Sequence, residues 1–340
     1  MKRMLACLLL CPLLSPWGTG GPATPVPDKK TPAPAGDWPG QLAKVMFKRF
    51  AEAPGYSEGP TWRDGDLFFC CNNGLMRIDR SGKVRKYLDL KPAGTLLRPD
   101  GSLLLCDNKI PALVKVTPEG KVGVLADRFA DKPLGSLNDL TVDRNGNVYW
   151  TDPKDSSQQN PIGKIFRLSP EGKVDLLASD LAFPNGIEVD PENRYLYVME
   201  SQTAKILRYE VPLPGKALDK PVVFYAMGGS GGDGCAFDKE GNLWVADFHR
   251  PETGKGRLLI IRPEGEQAKV VGHVNVPAKQ VSNITFGGVK GDEIFITTNN
   301  PPGVFHATVG VAGFPGHPGK ALTVVRWLDL KPLDTPVPDK

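Results

Sequence analysis

Short apolar runs separated by polar turns fill most of this chain. The clearest unit starts at Phe183-Pro184-Asn185-Gly186-Ile187-Glu188-Val189-Asp190, turns through Pro191-Glu192-Asn193-Arg194 and returns along Tyr195-Leu196-Tyr197-Val198-Met199-Glu200. That pattern predicts a strand, a turn and an antiparallel strand. Six segments share it, with turn aspartates Asp64, Asp100, Asp143, Asp190, Asp238 and Asp292 separated by 36, 43, 47, 48 and 54 residues. An apolar run follows each turn, among them Val148-Tyr149-Trp150 and Leu243-Trp244-Val245. Most units add a third and a fourth strand, such as Lys205–Tyr209 and Val222–Tyr225. Four strands repeated every ~40–50 residues are the signature of a β-propeller blade. The fold expected is all-β: a six-bladed β-propeller with four-stranded antiparallel blades. The runs are continuously apolar rather than alternating, as required when both faces of a blade are covered by its neighbours. No segment holds a sustained helical period, which argues against α/β architectures.

A ring of blades must close. The segment 44–50 (Lys-Val-Met-Phe-Lys-Arg-Phe) could supply the outer strand of the last blade, and the segment 321–327 (Ala-Leu-Thr-Val-Val-Arg-Trp) competes for that place. The N-terminal segment is preferred.

Composition agrees with short elements: Gly 38 and Pro 33 together exceed a fifth of the 340 residues, too many for long helices. A net charge of +4 without any Lys/Arg block gives no support for nucleic-acid binding. At the N-terminus, Lys2 and Arg3 precede an apolar run from Met4 to Leu14 and the small residues Gly18-Thr19-Gly20-Gly21. This reads as a signal peptide, residues 1–21, followed by a Pro-rich linker at 22–41, the propeller at 42–330 and a solvated tail at 331–340. The mature protein is expected to be exported, periplasmic or extracellular, with no membrane attachment after signal removal. Cys7 and Cys11 would leave with the signal. Cys70, Cys71, Cys106 and Cys235 sit in or beside predicted strands and read as buried thiols, since no C-x-x-C pair exists.

Counting five residues back from the turn aspartates reaches Thr95, Asn138, Asn185 and Asp233. In the sixth repeat Asn283 is equivalent when Gly288 is taken as the turn residue, and in the first Glu58 lies six before Asp64, an offset a bulge would absorb. Each position heads the first strand of its unit, and first strands line the channel of a propeller. Glu58, Asn138, Asn185, Asp233 and Asn283 are therefore expected around one opening. Two carboxylates and several amide oxygens make a hard-cation site with Ca²⁺ as the natural occupant. No His or Cys joins the set, which disfavours zinc. The bland alternative is that Asn-Gly, Asp-Gly and Glu-Gly-Pro merely shape turns; recurrence at one phase in five blades weighs against it.

Other candidates are weaker. Asp107, Asp152, Glu200 and Asp247 end second strands at the same rim, where they support the site or cap loops. His249 follows a second strand and could face the pocket as a substrate contact, although a surface place is commoner. Gly228-Gly229-Ser230-Gly231-Gly232 fits the G-x-S-x-G elbow literally, but a strand rather than a helix follows it. It reads as a flexible rim loop.

Taken in order, Glu58-Gly59-Pro60-Thr61-Trp62, Asn138-Asp139, Pro184-Asn185-Gly186, Asp233-Gly234 and Phe286-Gly287-Gly288 resemble the successive motifs of the senescence marker protein/gluconolactonase (regucalcin-like) family. The resemblance covers residues 43–330. It implies a six-bladed propeller that hydrolyses sugar lactones with a divalent metal, diisopropyl fluorophosphatase being among the relatives. It further implies Glu58, Asn185 and Asp233 as metal ligands, and Asn138 as a further ligand or a substrate contact. The family pattern reads Arg-x-Asn where this chain has Ser136-Leu137-Asn138, which leaves the particular sugar open. In the chemistry that follows, the cation polarises the lactone carbonyl and Asp233 acts as general base toward water, with direct nucleophilic attack by Asp233 as the lesser variant. Glu58 would neutralise and tune the ion, Asn138 and Asn185 would limit the negative charge, and Asn283 and His249 complete the candidate substrate contacts. The alternatives are a related esterase or phosphotriesterase, and a non-catalytic ligand- or protein-binding propeller with structural Ca²⁺.

Overall fold

The computed structural model describes residues 38–337, apart from 73 and 214. The expected signal peptide and residues 22–37 of the expected linker lie outside the described residues, as do 338–340.

Six antiparallel sheets follow one another along the chain as expected; three have four strands in sequence order, two carry an added fifth strand, and the last takes its fourth from the N-terminal side. Blade 1 begins with Ser57–Arg63, blade 2 with Pro92–Leu97, blade 3 with Leu140–Val142, blade 4 with Pro184–Val189, blade 5 with Gly232–Phe237 and blade 6 with Gln280–Gly287. Four of the six turn aspartates, Asp100, Asp143, Asp190 and Asp238, hold their hairpins through the carboxylate. Asp143 accepts a main-chain hydrogen bond from Asn147 at 2.9 Å, and Asp238 accepts one from Asn242 at 2.9 Å. Asp190 accepts from Arg194 at 2.6 Å and from Tyr195 at 3.1 Å. A short carboxylate that satisfies turn N–H groups is the physical reason Asp recurs there.

The apolar runs are continuous because each blade packs on two neighbours through opposite faces. Leu67 and Phe69 join Phe295 and Val304 between blades 1 and 6, whereas Phe68 points the other way, to Leu103 and Leu105 of blade 2. Each of the six joints carries its own buried cluster. Burying one such large side chain contributes about 1.5–3 kcal/mol, so the ring is held by six comparable seams. Cys70, Cys71, Cys106 and Cys235 are buried within this packing.

The ring is closed by the N-terminal segment. Lys48–Glu52 pairs antiparallel with Gly303–His306 as the outer strand of blade 6. The competing C-terminal segment goes elsewhere: Arg326–Leu328 is a fifth strand on blade 2, opposite Val122–Val124. Residues 38–41, expected in the linker, belong to a short helix, Trp38–Leu42, whose Trp38 ring meets Trp244 edge-on at 6.2 Å. Two bulky apolar side chains, Trp38 and Leu42, are buried there, and they draw this end of the linker onto the blades.

After blade 6 the chain runs on as a strap across the turn-bearing end of the propeller. Phe314 N–H donates to the Phe237 carbonyl at 2.9 Å, and His317 Nε2 donates to the Asp190 carbonyl at 2.8 Å. The Arg98 guanidinium donates to the carbonyls of Pro318 at 2.8 Å and Lys320 at 3.1 Å. The final residues, expected as a solvated tail, stay exposed but lie along blade 1, where Thr335 and Pro336 pair with Lys86 and Arg85.

Candidate metal centre

The site is built by irregularities in the innermost strands. The ladder between the first two strands of a blade skips a step between Glu58 and Thr61, Pro92 and Thr95, Pro184 and Ile187, Gly232 and Cys235, and Val281 and Asn283. A bulge frees a residue from pairing and re-aims its side chain. Asn185 and Asp233 occupy two of these bulges, and Glu58 is the last paired residue before a third.

The glycine after each bulge residue lets neighbouring blades meet. A Cβ on Gly186 would stand 2.1 Å from the Asp233 carbonyl oxygen, and one on Gly234 would stand 2.0 Å from Asn283 Cγ. Only a residue without a side chain permits that approach. Single hydrogen bonds stitch the inner strands around the ring. Thr95 Oγ1 donates to the Gly59 carbonyl at 2.7 Å, Gly94 N–H to Asn138 at 2.7 Å, and Thr151 Oγ1 to Asn185 at 2.7 Å. Ser201 Oγ donates to Gly232 at 2.6 Å, and Ser282 Oγ of blade 6 donates to the Ser57 carbonyl of blade 1 at 2.7 Å. The main-chain groups beside the site are thus committed, leaving the side chains to face the opening.

Four of the expected residues, Glu58, Asn138, Asn185 and Asp233, line one pocket of ≈ 220 Å³ at the channel mouth. Tyr56, Asn72, Lys91 and Asn108 stand around the same pocket. Glu58 is 9% exposed, Asn185 7% and Asp233 6%. Burial pushes the Glu58 carboxyl up to about 8, against a hydrogen bond from Asn283 that pulls it down. Burial also raises Asp233 well above the usual carboxylate range, the charges of Glu58 and Asp139 add to the rise, and the Asn185 amide opposes it.

Asn283 and His249 are placed differently. Asn283 lines a second cavity of ≈ 250 Å³, toward the strap, and donates from Nδ2 to Asp139 Oδ2 at 3.4 Å. It therefore spans the acids of the channel interior. His249 lines neither cavity; its Nδ1 donates to the Lys279 carbonyl at 2.8 Å. The acids ending second strands anchor main chain or pair with arginine. Asp107 accepts from Lys91 N–H at 2.6 Å and Ile110 N–H at 2.7 Å, Asp152 from Ser136 N–H at 3.2 Å, and Glu200 from Ala182 N–H at 3.0 Å. Asp247 binds Arg257 Nε at 2.6 Å.

Two channel acids escaped the sequence reading. Asp139 follows Asn138 directly, and burial pushes it to about 7. Glu188 accepts from Thr141 Oγ1 at 2.6 Å and is driven to about 8 by burial. The available signal was an acid inside an apolar run, Ile187-Glu188-Val189.

The donor chemistry suits a hard cation. No lysine or arginine forms an ion pair with Glu58, Asp139, Glu188 or Asp233 among the described residues, and mutual repulsion between buried acids is costly unless a cation stands between them. Also among the described residues, no three His, Cys, Asp or Glu side chains could hold a metal by themselves. Amide oxygens have to complete the set, as hard divalent cations allow and zinc does not favour.

Comparison with known proteins supplies an independent line. The model of the SMP-30/gluconolactonase/LRE-like region matches residues 56–300. A gluconolactonase of Zymomonas mobilis is 30% identical, across 72% of this chain and 76% of its own length. The diisopropyl-fluorophosphatase of Loligo vulgaris is 26% identical, across 72% of this chain and 86% of its own. Among solved structures, a gluconolactonase from Xanthomonas campestris superposes with TM-score 0.64 at 22% identity, covering 78% of this chain and 90% of the other. Regucalcin from Agrobacterium tumefaciens, a calcium-binding protein, superposes with TM-score 0.63 at 20% identity, covering 83% and 98%. At these identities the two structures speak to the fold.

Proposed function

Because the chain belongs to the SMP-30/gluconolactonase/LRE-like family, we propose that it is a lactonase that opens sugar lactones with the help of a divalent cation, Ca²⁺ by preference. The observation that carries this reading is the convergence of Glu58, Asn138, Asn185 and Asp233 on one small pocket, two of them buried acids without a cationic partner. Its ≈ 220 Å³ lies below the ~300–1,000 Å³ of pockets for drug-sized ligands and suits a single sugar ring.

Glu58, Asn185 and Asp233 would hold the cation, with Asn138 as a further oxygen donor. When bound, the cation supplies Lewis-acid polarisation of the ester carbonyl. Asp233 takes a proton from water as the water oxygen bonds to the carbonyl carbon. The ring C–O bond then breaks, the released oxygen regains the proton, and the product is the open hydroxy acid. Glu58 offsets the charge of the cation, and the neutral amides of Asn138 and Asn185 leave room for the negative charge that grows on the substrate.

A pH-indicator assay with gluconolactone tests this. Activity is expected to vanish with chelator, to return with Ca²⁺, and to fall about 10²–10⁴-fold in Asp233→Asn. Activity that ignores chelator or survives that substitution contradicts the mechanism. Similarity to the fluorophosphatase of Loligo vulgaris favours a second reading, phosphotriester hydrolysis by the same residues. A fluorophosphate assayed beside the lactone separates the two.

A further inference from the structure

Lys91 is the one lysine or arginine among the residues that line either cavity. It stands immediately before the innermost strand of blade 2, and its side chain is exposed. Its main chain is held at both ends. The N–H donates to Asp107 Oδ2 at 2.6 Å, and the carbonyl accepts from Asn108 N–H at 2.9 Å. Asn108 is fixed in turn by donating from Nδ2 to the Leu137 carbonyl at 2.8 Å. The root of the lysine is therefore rigid while its four-carbon arm is free.

The lysines on either side of it in the chain are spent: Lys86 and Lys109 both pair with Asp89, at 2.7 Å and 2.5 Å. The Lys91 ammonium has no ion pair or hydrogen bond among the described residues. Within six blades, blade 2 stands opposite blade 5, which carries Asp233. Blade 2 also adjoins blade 1, which carries Glu58, so Lys91 lines the same pocket as both acids. Tyr56, Asn72 and Asn108, also in the lining, offer neutral partners for sugar hydroxyls. Only Lys91 offers a positive charge.

We propose that Lys91 is a specificity-determining residue that adapts the pocket to sugar lactones carrying an anionic group at the end remote from the ring ester. This rests on the lactonase reading above. The shared chemistry is a terminal oxyanion, phosphate or carboxylate, gripped by a free ammonium at the mouth while the ester lies against Asp233.

Two matched pairs of substrates test it with the Ca²⁺-loaded protein: glucono-1,5-lactone against its 6-phosphate, and glucono-1,4-lactone against glucaro-1,4-lactone. In at least one pair the charged member is expected to have a kcat/KM about tenfold higher, the size of a charge-assisted hydrogen bond. The pair that shows it identifies the oxyanion. In Lys91→Ala that ratio should collapse toward one through KM of the charged member, in Lys91→Glu it should invert, and in Lys91→Arg it should survive. Calorimetric binding of 6-phosphogluconate against gluconate, and of glucarate against gluconate, reads the same preference without turnover. If lactones are opened with no preference for charge, or if Lys91→Ala lowers both members of a pair alike, the role of Lys91 is overturned and the lactonase reading stands. If no lactone is opened while an anionic acid still binds in a Lys91-dependent way, the lactonase reading falls and the anion contact stands.

Discussion

Glu188 illustrates what an acid costs inside the channel. It faces the second cavity, accepts a hydrogen bond from Thr141, and has its carboxyl pushed from an ordinary 4.5 to about 8 by burial. The folded protein therefore keeps a proton that the unfolded chain has released. Stability tied to that proton is present in full below 4.5 and is lost as pH rises through about 8. Asp139, at about 7, acts in the same direction. Glu188→Gln keeps an acceptor for Thr141 and carries no charge, so it is expected to flatten the fall of Tm with rising pH in metal-free protein. Thermal melts in chelator from about pH 5 to about pH 9 would check this; an unchanged slope would mean that Glu188 is already ionised in the fold. At this scale the sequence was informative about Glu58, Asn138, Asn185 and Asp233, whose polar side chains recur at one phase. It was silent on Glu188, because an acid in an apolar strand reads equally well as facing solvent.

At the scale of the element, the inner strand does two tasks at its two ends. Its turn aspartate closes a hairpin, and its bulge presents a candidate ligand about five residues, roughly 17 Å, away at the channel mouth. The Xaa-Gly pair in the bulge joins these tasks to the neighbouring blade. Gly186→Ala would drive a methyl group to 2.1 Å from the Asp233 carbonyl oxygen, where only main chain could yield. It is expected to displace Asp233 and to lower kcat/KM by about 10²-fold, the effect of an ångström-scale misplacement, with a Tm lower than wild type. Wild-type rates in Gly186→Ala would show that the bulge tolerates a Cβ and that Asp233 is positioned by something else. The acids that end second strands, read in advance as either site support or loop caps, fall on the structural side. Asp107, Asp152 and Glu200 hold N–H groups of the loops that enter their own blades, and Asp247 pairs with Arg257.

The whole molecule is closed twice. Lys48–Glu52 completes blade 6 near one terminus, and the strap beyond blade 6 runs under the channel, touches blades 5 and 4 and adds strands to blades 2 and 1. Removing residues 314–337 would uncover the second cavity and free the outer edges of two blades. Its expected effect is a fall in Tm on the order of 5 °C with lactonase activity retained, since the pocket lined by Glu58, Asn138, Asn185 and Asp233 is not the one the strap covers. Melting curves and the gluconolactone assay on the shortened chain would check both halves; an unchanged Tm would show that the strap only lies on the surface. By itself the sequence determined the repeat, the number of blades and the polar residues at a common phase, because turn chemistry and apolar runs are local signals written in every unit. The tertiary structure alone decided which end segment closes the ring, that Asn283 bridges acids inside the channel rather than lining its mouth, and that Lys91 lines the same pocket as Asp233. Those are relations between blades, set by close approach of backbones and by burial, and no local stretch of sequence contains them.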